Sequence, residues 1–139
     1  MKILIDTNII LDVLLNRRPF VEKSARLFEL AEKEKLEAFI TSNSVTDIVY
    51  ILRKAYRMEE IRNYLLIMFG FIKILNVAAN DVVSALKMDV KDFEDAIIMQ
   101  CAKQNGMDII VSRNKKDFAG SPVKCLTVDE WYNEYCSNY

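Results

Sequence analysis

Short apolar runs alternate along this chain with longer segments in which apolar positions recur every three or four residues. The runs fall at Lys2–Ile5, Leu36–Thr41, Phe71–Leu75, Met107–Val111 and Lys124–Leu126. Each is too short for a stable helix and is bounded by polar or turn-forming residues, which predicts buried strands. Between them, Ile9–Leu15 reads as an apolar helix that Pro19 breaks before the next begins. In that next helix Val21, Ala25, Phe28 and Ala31 share a face among Lys and Glu. Ser42-Asn43-Ser44 reads as the cap of a third helix whose stripe is Val45, Ile48, Val49, Leu52 and Ala55. Further helices are expected over 58–69 and 80–88, and from Asp92 to the stop signal Asn105-Gly106. Thr127 with Glu130 opens a terminal helix carrying Trp131 and Tyr135. Alternating strands and helices predict an α/β fold with a mainly parallel sheet. No repeat, low-complexity stretch or linker divides the 139 residues, so a single domain over 1–139 is expected.

On that sheet, four carboxylates stand where a carboxylate is costly. Asp6 ends the run Ile3-Leu4-Ile5, and Asp47 follows the second run by a few residues. Asp95 opens the apolar stretch Ala96-Ile97-Ile98-Met99, and Asp117 lies just past Ile109-Ile110-Val111. Parallel strands share a carboxyl edge, and ligands of such sheets bind there. Each acid also has an ordinary explanation. Asp6 and Asp92 are natural helix caps, Ser44-Val45-Thr46-Asp47 has the form of a capping box, and Asp117 suits a surface loop. Jointly, acids crowded on one edge repel and call for a cation. Hard divalent ions take oxygen ligands, and the chain has no His and no Cys cluster to offer zinc. The pattern therefore points to acid-bound Mg²⁺ or Mn²⁺ acting on phosphate.

Composition narrows this only a little. A net charge of −1 recruits no nucleic acid globally, although Arg17-Arg18, Arg53-Lys54 with Arg57, and Arg113 with Lys115-Lys116 form local clusters. The three cysteines lack ligand spacing, and Cys101 and Cys125 read as small core residues, which suits a reducing cytoplasm. Asp6 interrupts the first apolar run, so no secretory leader is expected. The longest apolar stretch, Leu65–Phe69 continued by Phe71-Ile72, is far short of a membrane span.

Four segments in order resemble the PIN-domain family of small metal-dependent ribonucleases. They are Ile3-Leu4-Ile5-Asp6-Thr7-Asn8, Ser42 through Asp47, Asp92-Phe93-Glu94-Asp95-Ala96, and Val111-Ser112-Arg113-Asn114-Lys115-Lys116-Asp117-Phe118. The resemblance implies a three-layer α/β/α fold around about five strands. It implies a metal-dependent endoribonuclease, with Asp6, Asp47 and Asp95 matching the family's first three acids. The second is more often Glu in the family, and the position of the fourth holds Asn114, which can coordinate but brings no charge. Asp117 and Asp92 are the candidates to supply it. Thr7, Asn8 and Ser112 are expected to support ligands or meet the phosphate. Arg113, Lys115 and Lys116 are expected to bind the RNA backbone, with Arg17, Arg53 and Arg57 extending the track. Tyr50 and Tyr56 are candidate base-stacking residues, though their helical spacing favours packing.

Many small relatives are toxins of toxin–antitoxin pairs, so an antitoxin protein and a homodimer are implied partners. The apolar Tyr64–Ile72 region could serve such a contact, but core is its simpler reading. One rival is a catalytically degenerate member that only binds RNA or protein, which Asn114 favours. Another is a phosphoacceptor signalling domain, disfavoured because the first acid stands alone and Lys124 precedes its strand. A haloacid-type phosphatase is disfavoured because Asp6-Thr7-Asn8 lacks that motif's second aspartate.

Overall fold

A computed structural model describes all residues, Met1–Tyr139. In chain order the elements are β1 (Lys2–Ile5), α1 (Thr7–Leu14), α2 (Val21–Glu32), β2 (Glu37–Thr41), α3 (Ser42–Leu52), α4 (Met58–Met68) and β3 (Ile72–Leu75). Then follow α5 (Ala79–Leu86), α6 (Phe93–Gln104), β4 (Ile109–Val111), a 3₁₀ turn (Lys115–Phe118), β5 (Lys124–Leu126) and α7 (Val128–Tyr135). The strands form one fully parallel five-stranded sheet in the order β3-β2-β1-β4-β5. The order reverses at β1: β2 and β3 extend to one side, β4 and β5 to the other.

Both faces of the sheet are covered, which explains why its strands read as continuous apolar runs. Ile3, Ile5, Ala38, Ile40, Ile109, Val111 and Leu126 point into the larger core, with Leu27, Ile48, Leu65 and Trp131 from the helices. Leu4, Phe39, Ile110 and Cys125 alternate to the opposite face and meet Ala85, Ile97, Ile98 and Cys101. The architecture is the expected three-layer α/β/α. All three cysteines are free and buried. Burial holds the Cys101 thiol up at about 12, with Asp81 adding repulsion, and desolvation does the same at Cys125.

Local details differ from the sequence reading in three places. Ser42–Ser44 form the first turn of α3, because extended Thr41 is its cap. Ser44 is spent on a 2.8 Å hydroxyl contact with Thr41, so Asp47 belongs to no capping box. Ala55 lies beyond the end of α3 and is exposed. In the 64–72 segment Leu65, Met68 and Ile72 join the core as expected, whereas Leu66 and Ile67 face outward at 71% and 69% exposure. No helix is long and apolar enough to cross a membrane.

α7 shows how sequence sets an element. Thr127 Oγ1 accepts the Glu130 amide at 3.1 Å, and Glu130 returns the bond to the Thr127 amide at 2.9 Å. This reciprocal cap seats Trp131 in the core. Thr127→Ala is expected to lower stability by about 1 kcal/mol, read as a shifted urea midpoint with unchanged slope.

Candidate active site

The residue after β1 anchors the site. Asp6 caps α1, its Oδ1 accepting the Thr7 amide at 2.8 Å. Its Oδ2 accepts the hydroxyl of Ser112, the residue after the neighbouring strand β4, at 2.7 Å. The Asp6 amide donates to the Val111 carbonyl at 3.0 Å, and Ser112 Oγ in turn accepts the Asn114 amide at 3.1 Å. The loop after β4 is thereby clamped to the end of β1. Burial raises the Asp6 carboxyl above the ordinary range, Asp92 and Asp117 adding repulsion against the two hydrogen bonds that favour its charge.

α6 supplies the opposing wall. Its cap, Asp92, accepts the Asp95 amide at 3.1 Å. Burial pushes the Asp95 carboxyl up to about 7, and Asp92, Asp6, Asp117 and Glu94 reinforce the shift. Glu94 accepts the Thr7 hydroxyl at 3.3 Å, yet burial, and then the nearby Asp47, hold it well above the carboxylate norm. One open cavity of about 340 Å³ collects Asp6, Asp47, Asp92, Glu94, Asp95 and Asp117, with Thr7, Asn8 and Asn114 on its wall. No basic residue lines it.

This donor set suits a hard divalent cation. The acids are all oxygen donors, and the raised carboxyls mark a demand for positive charge that nothing in the cavity meets. As they stand, no three His, Cys, Asp or Glu side chains lie close enough together to hold a metal ion among them. A cation here would therefore keep water in its shell, as Mg²⁺ typically does.

The basic candidates lie elsewhere. Arg113 turns away: its Nε is 3.3 Å from Asp12 Oδ2, and its guanidinium lies 4.3 Å from the centre of the Phe20 ring. Arg17 approaches the same Asp12 at 3.7 Å. Lys115 meets Glu130 at 2.9 Å, and Lys116 is exposed. At the start of α4 the Arg57 side chain pairs with Glu60 at 3.1 Å, while Arg53 is exposed past the end of α3. Tyr56 packs, donating to the Leu14 carbonyl at 2.8 Å. Tyr50 does not: it lines the acidic cavity at 67% exposure, against the packing its spacing suggested.

Two acids with perturbed surroundings escape a sequence reading. Glu94 hides inside Asp92-Phe93-Glu94-Asp95, where it passes for an ordinary first-turn acid. Asp12 had a clear signal, a charge interrupting Ile9-Ile10-Leu11 and Val13-Leu14-Leu15. It is fully buried, and burial raises its carboxyl against the pull of Arg113 and Arg17.

Comparison with known proteins points one way. The family model described as PIN domain matches residues 2–116. Ribonuclease VapC1 of Aquifex aeolicus is 24% identical over 135 residues, covering 94% of this chain and 92% of that protein. A toxin-antitoxin complex from Klebsiella pneumoniae holds a chain that is 24% identical, with a TM-score of 0.66 and coverage of 90% and 96%. VapBC2 from Rickettsia felis, bound to a promoter DNA fragment, holds one that is 18% identical, with a TM-score of 0.69 and coverage of 91% and 98%.

Two outcomes are expected. The folded protein retains the Asp95 proton up to about pH 7, whereas the unfolded chain releases it near 3.8. That contribution is complete at low pH and is lost as pH rises through 7. In EDTA the thermal midpoint should therefore climb as pH falls from about 8 to about 5.5. Asp95→Asn should flatten the profile and raise the midpoint at the alkaline end. Separately, Arg113→Met should cost about 3 kcal/mol by leaving Asp12 with Arg17 alone. Asp12→Leu combined with Arg113→Met should cost less than that single change, read by denaturant unfolding.

Proposed function

This chain belongs to the PIN-domain family, and from that membership we propose that it is a divalent-metal-dependent endoribonuclease hydrolysing RNA phosphodiesters, the toxin of a toxin–antitoxin pair. The observation that carries the reading is the cavity lined by six carboxylates and no base, with Asp95 pushed up to about 7. The Aquifex ribonuclease and the toxin–antitoxin complexes among the structural relatives support RNA as substrate and an antitoxin as protein partner. A homodimer is the further assembly this reading implies.

Asp6, Asp47 and Asp95 would hold Mg²⁺ or Mn²⁺, with Asp92 and Asn114 as further donors. When bound, the ion supplies an activated water and neutralises charge developing on the phosphoryl and leaving oxygens. The chain's own groups do the rest. Asp47 or Asp117 orients the attacking water and accepts its proton. Ser112 and the Thr7 amide fix Asp6 by hydrogen bonds at 2.7 and 2.8 Å, and the Thr7 hydroxyl steadies Glu94. Asn8, on the cavity wall, would donate to a phosphate oxygen. Lys116, and Lys115 on leaving its exposed pair with Glu130, meet backbone phosphates beyond the cavity. Arg113 is paired with Asp12 at 3.3 Å and would contribute to that contact only through the part of its guanidinium the pair leaves free. Because water attacks, the ribose 2′-hydroxyl takes no chemical role, and the products carry 5′-phosphate and 3′-hydroxyl ends.

Asn114 alone favours a degenerate, non-cleaving member. Asp117 lines the same cavity and supplies a fourth charge close by, which favours the enzyme. The wild-type protein is expected to cleave a mixed-sequence, unstructured labelled RNA with Mn²⁺ or Mg²⁺ and to stop in EDTA. Asp6→Asn and Asp95→Asn from matched preparations should each abolish cleavage without lowering the thermal midpoint. Cleavage by all three proteins would mean a contaminating nuclease, and cleavage by none would favour the binding module.

A further inference from the structure

Beside the acidic cavity opens a second, larger one of about 790 Å³, and the two share Asn114 and Asp117 as a common wall. Its chemistry is the reverse of its neighbour's. Buried Phe118, Val123 and Cys125 contribute an apolar lining, and Lys115, Lys116 and Lys124 bring positive charge, together with Arg113, which is paired with Asp12; Asp117 is its one acid. Lys115 and Lys124 rest on Glu130 and Glu134 at 2.9 and 2.8 Å. Both are exposed pairs, which are worth little and open readily to a better anion. Lys116 pairs with no carboxylate. A volume in the range of small-ligand pockets, roughly 300–1,000 Å³, with apolar walls and a few polar groups, is what a flat heterocycle fits.

We propose that this cavity receives the unstacked base of the nucleotide next to the scissile phosphate, with Lys116 on the adjoining phosphate. The inference rests on the ribonuclease reading and names the form of RNA it requires. A polyanion draws only repulsion from the six acids of the first cavity until a cation is there. The lysines across the Asn114–Asp117 wall offer a favourable field, one step along the same strand. A base paired in a duplex has its faces stacked and cannot enter a concave pocket, so the substrate is single-stranded or looped RNA. Ala119 and Gly120, both exposed, leave the mouth open.

The test is fluorescence anisotropy with a labelled mixed-sequence single-stranded RNA in EDTA, where nothing is cleaved. The wild type should bind. Ala119→Trp, which fills the mouth from an exposed position, should bind about tenfold more weakly, the loss expected on shutting the apolar faces of one base out of the cavity. Lys116→Glu should weaken binding comparably and serves if the first variant folds poorly. Inorganic polyphosphate as competitor separates base from charge: Lys116→Glu should weaken its binding and Ala119→Trp should not. Mn²⁺ binding by calorimetry should persist in both variants. Wild-type failure to bind RNA, wild-type affinity in both variants, or equal loss of polyphosphate and RNA in Ala119→Trp would overturn the proposal. Cleavage with Mn²⁺ is scored separately, so RNA binding without cleavage would count against the nuclease and not against the base pocket.

Discussion

Everything at the site depends on holding one carboxylate at the end of β1. Asp6 sits where two parallel strands finish side by side, nearly buried at 6% exposure. A lone buried charge there would be lost to protonation or would pull the strand end toward water. The Ser112 hydroxyl and the Thr7 amide prevent that, and both arrive from fixed backbone. Ser112 is a residue 106 positions away, so the bond exists only once β1 and β4 have paired. The fold is therefore a precondition of the chemistry.

The two faces of the sheet divide the work. Helices α1 to α4 and α7 cover one face with the larger core, while α5 and α6 cover the other. Acids reach the carboxyl edge from both sides: Asp47 from α3, and Asp92, Glu94 and Asp95 from the start of α6. Neither layer alone assembles the cavity. The 3₁₀ turn after β4 closes the remaining side with Asp117 and divides the acidic pocket from the lysine-bearing one.

Much of this was legible in the chain. Five apolar runs located five strands, because a sheet covered on both faces leaves no alternation to confuse the pattern. Asp6 and Asp95 were readable because each breaks or opens an apolar run. What escaped depended on distant neighbours. The burial of Asp12 is tolerable only beside Arg113 and Arg17, and nothing local to residue 12 announces a partner at 113. The partner of Arg113 is hidden for the same reason, since a base in a basic loop looks free until its acid is located. Glu94 and Asp95 are adjacent in sequence, and only the placement of Asp47 and Thr7 shows that both belong to the cavity. Tyr50 has the spacing of a core residue, but at its position on α3 it meets solvent at the cavity rim. The cap of α3 was displaced by one residue because extended Thr41 could take the role.

The thiols carry a practical consequence. Cys101, Cys125 and Cys136 are all buried, and the first two are held near 12, so almost none of either is thiolate at neutral pH. Maleimide chemistry proceeds through the thiolate. A single cysteine introduced at an exposed position such as Tyr50 would then outcompete Cys101 and Cys125 without either being replaced. With respect to those two thiols, the wild-type sequence is already a silent background for attaching a dye or spin label at the rim of the acidic cavity.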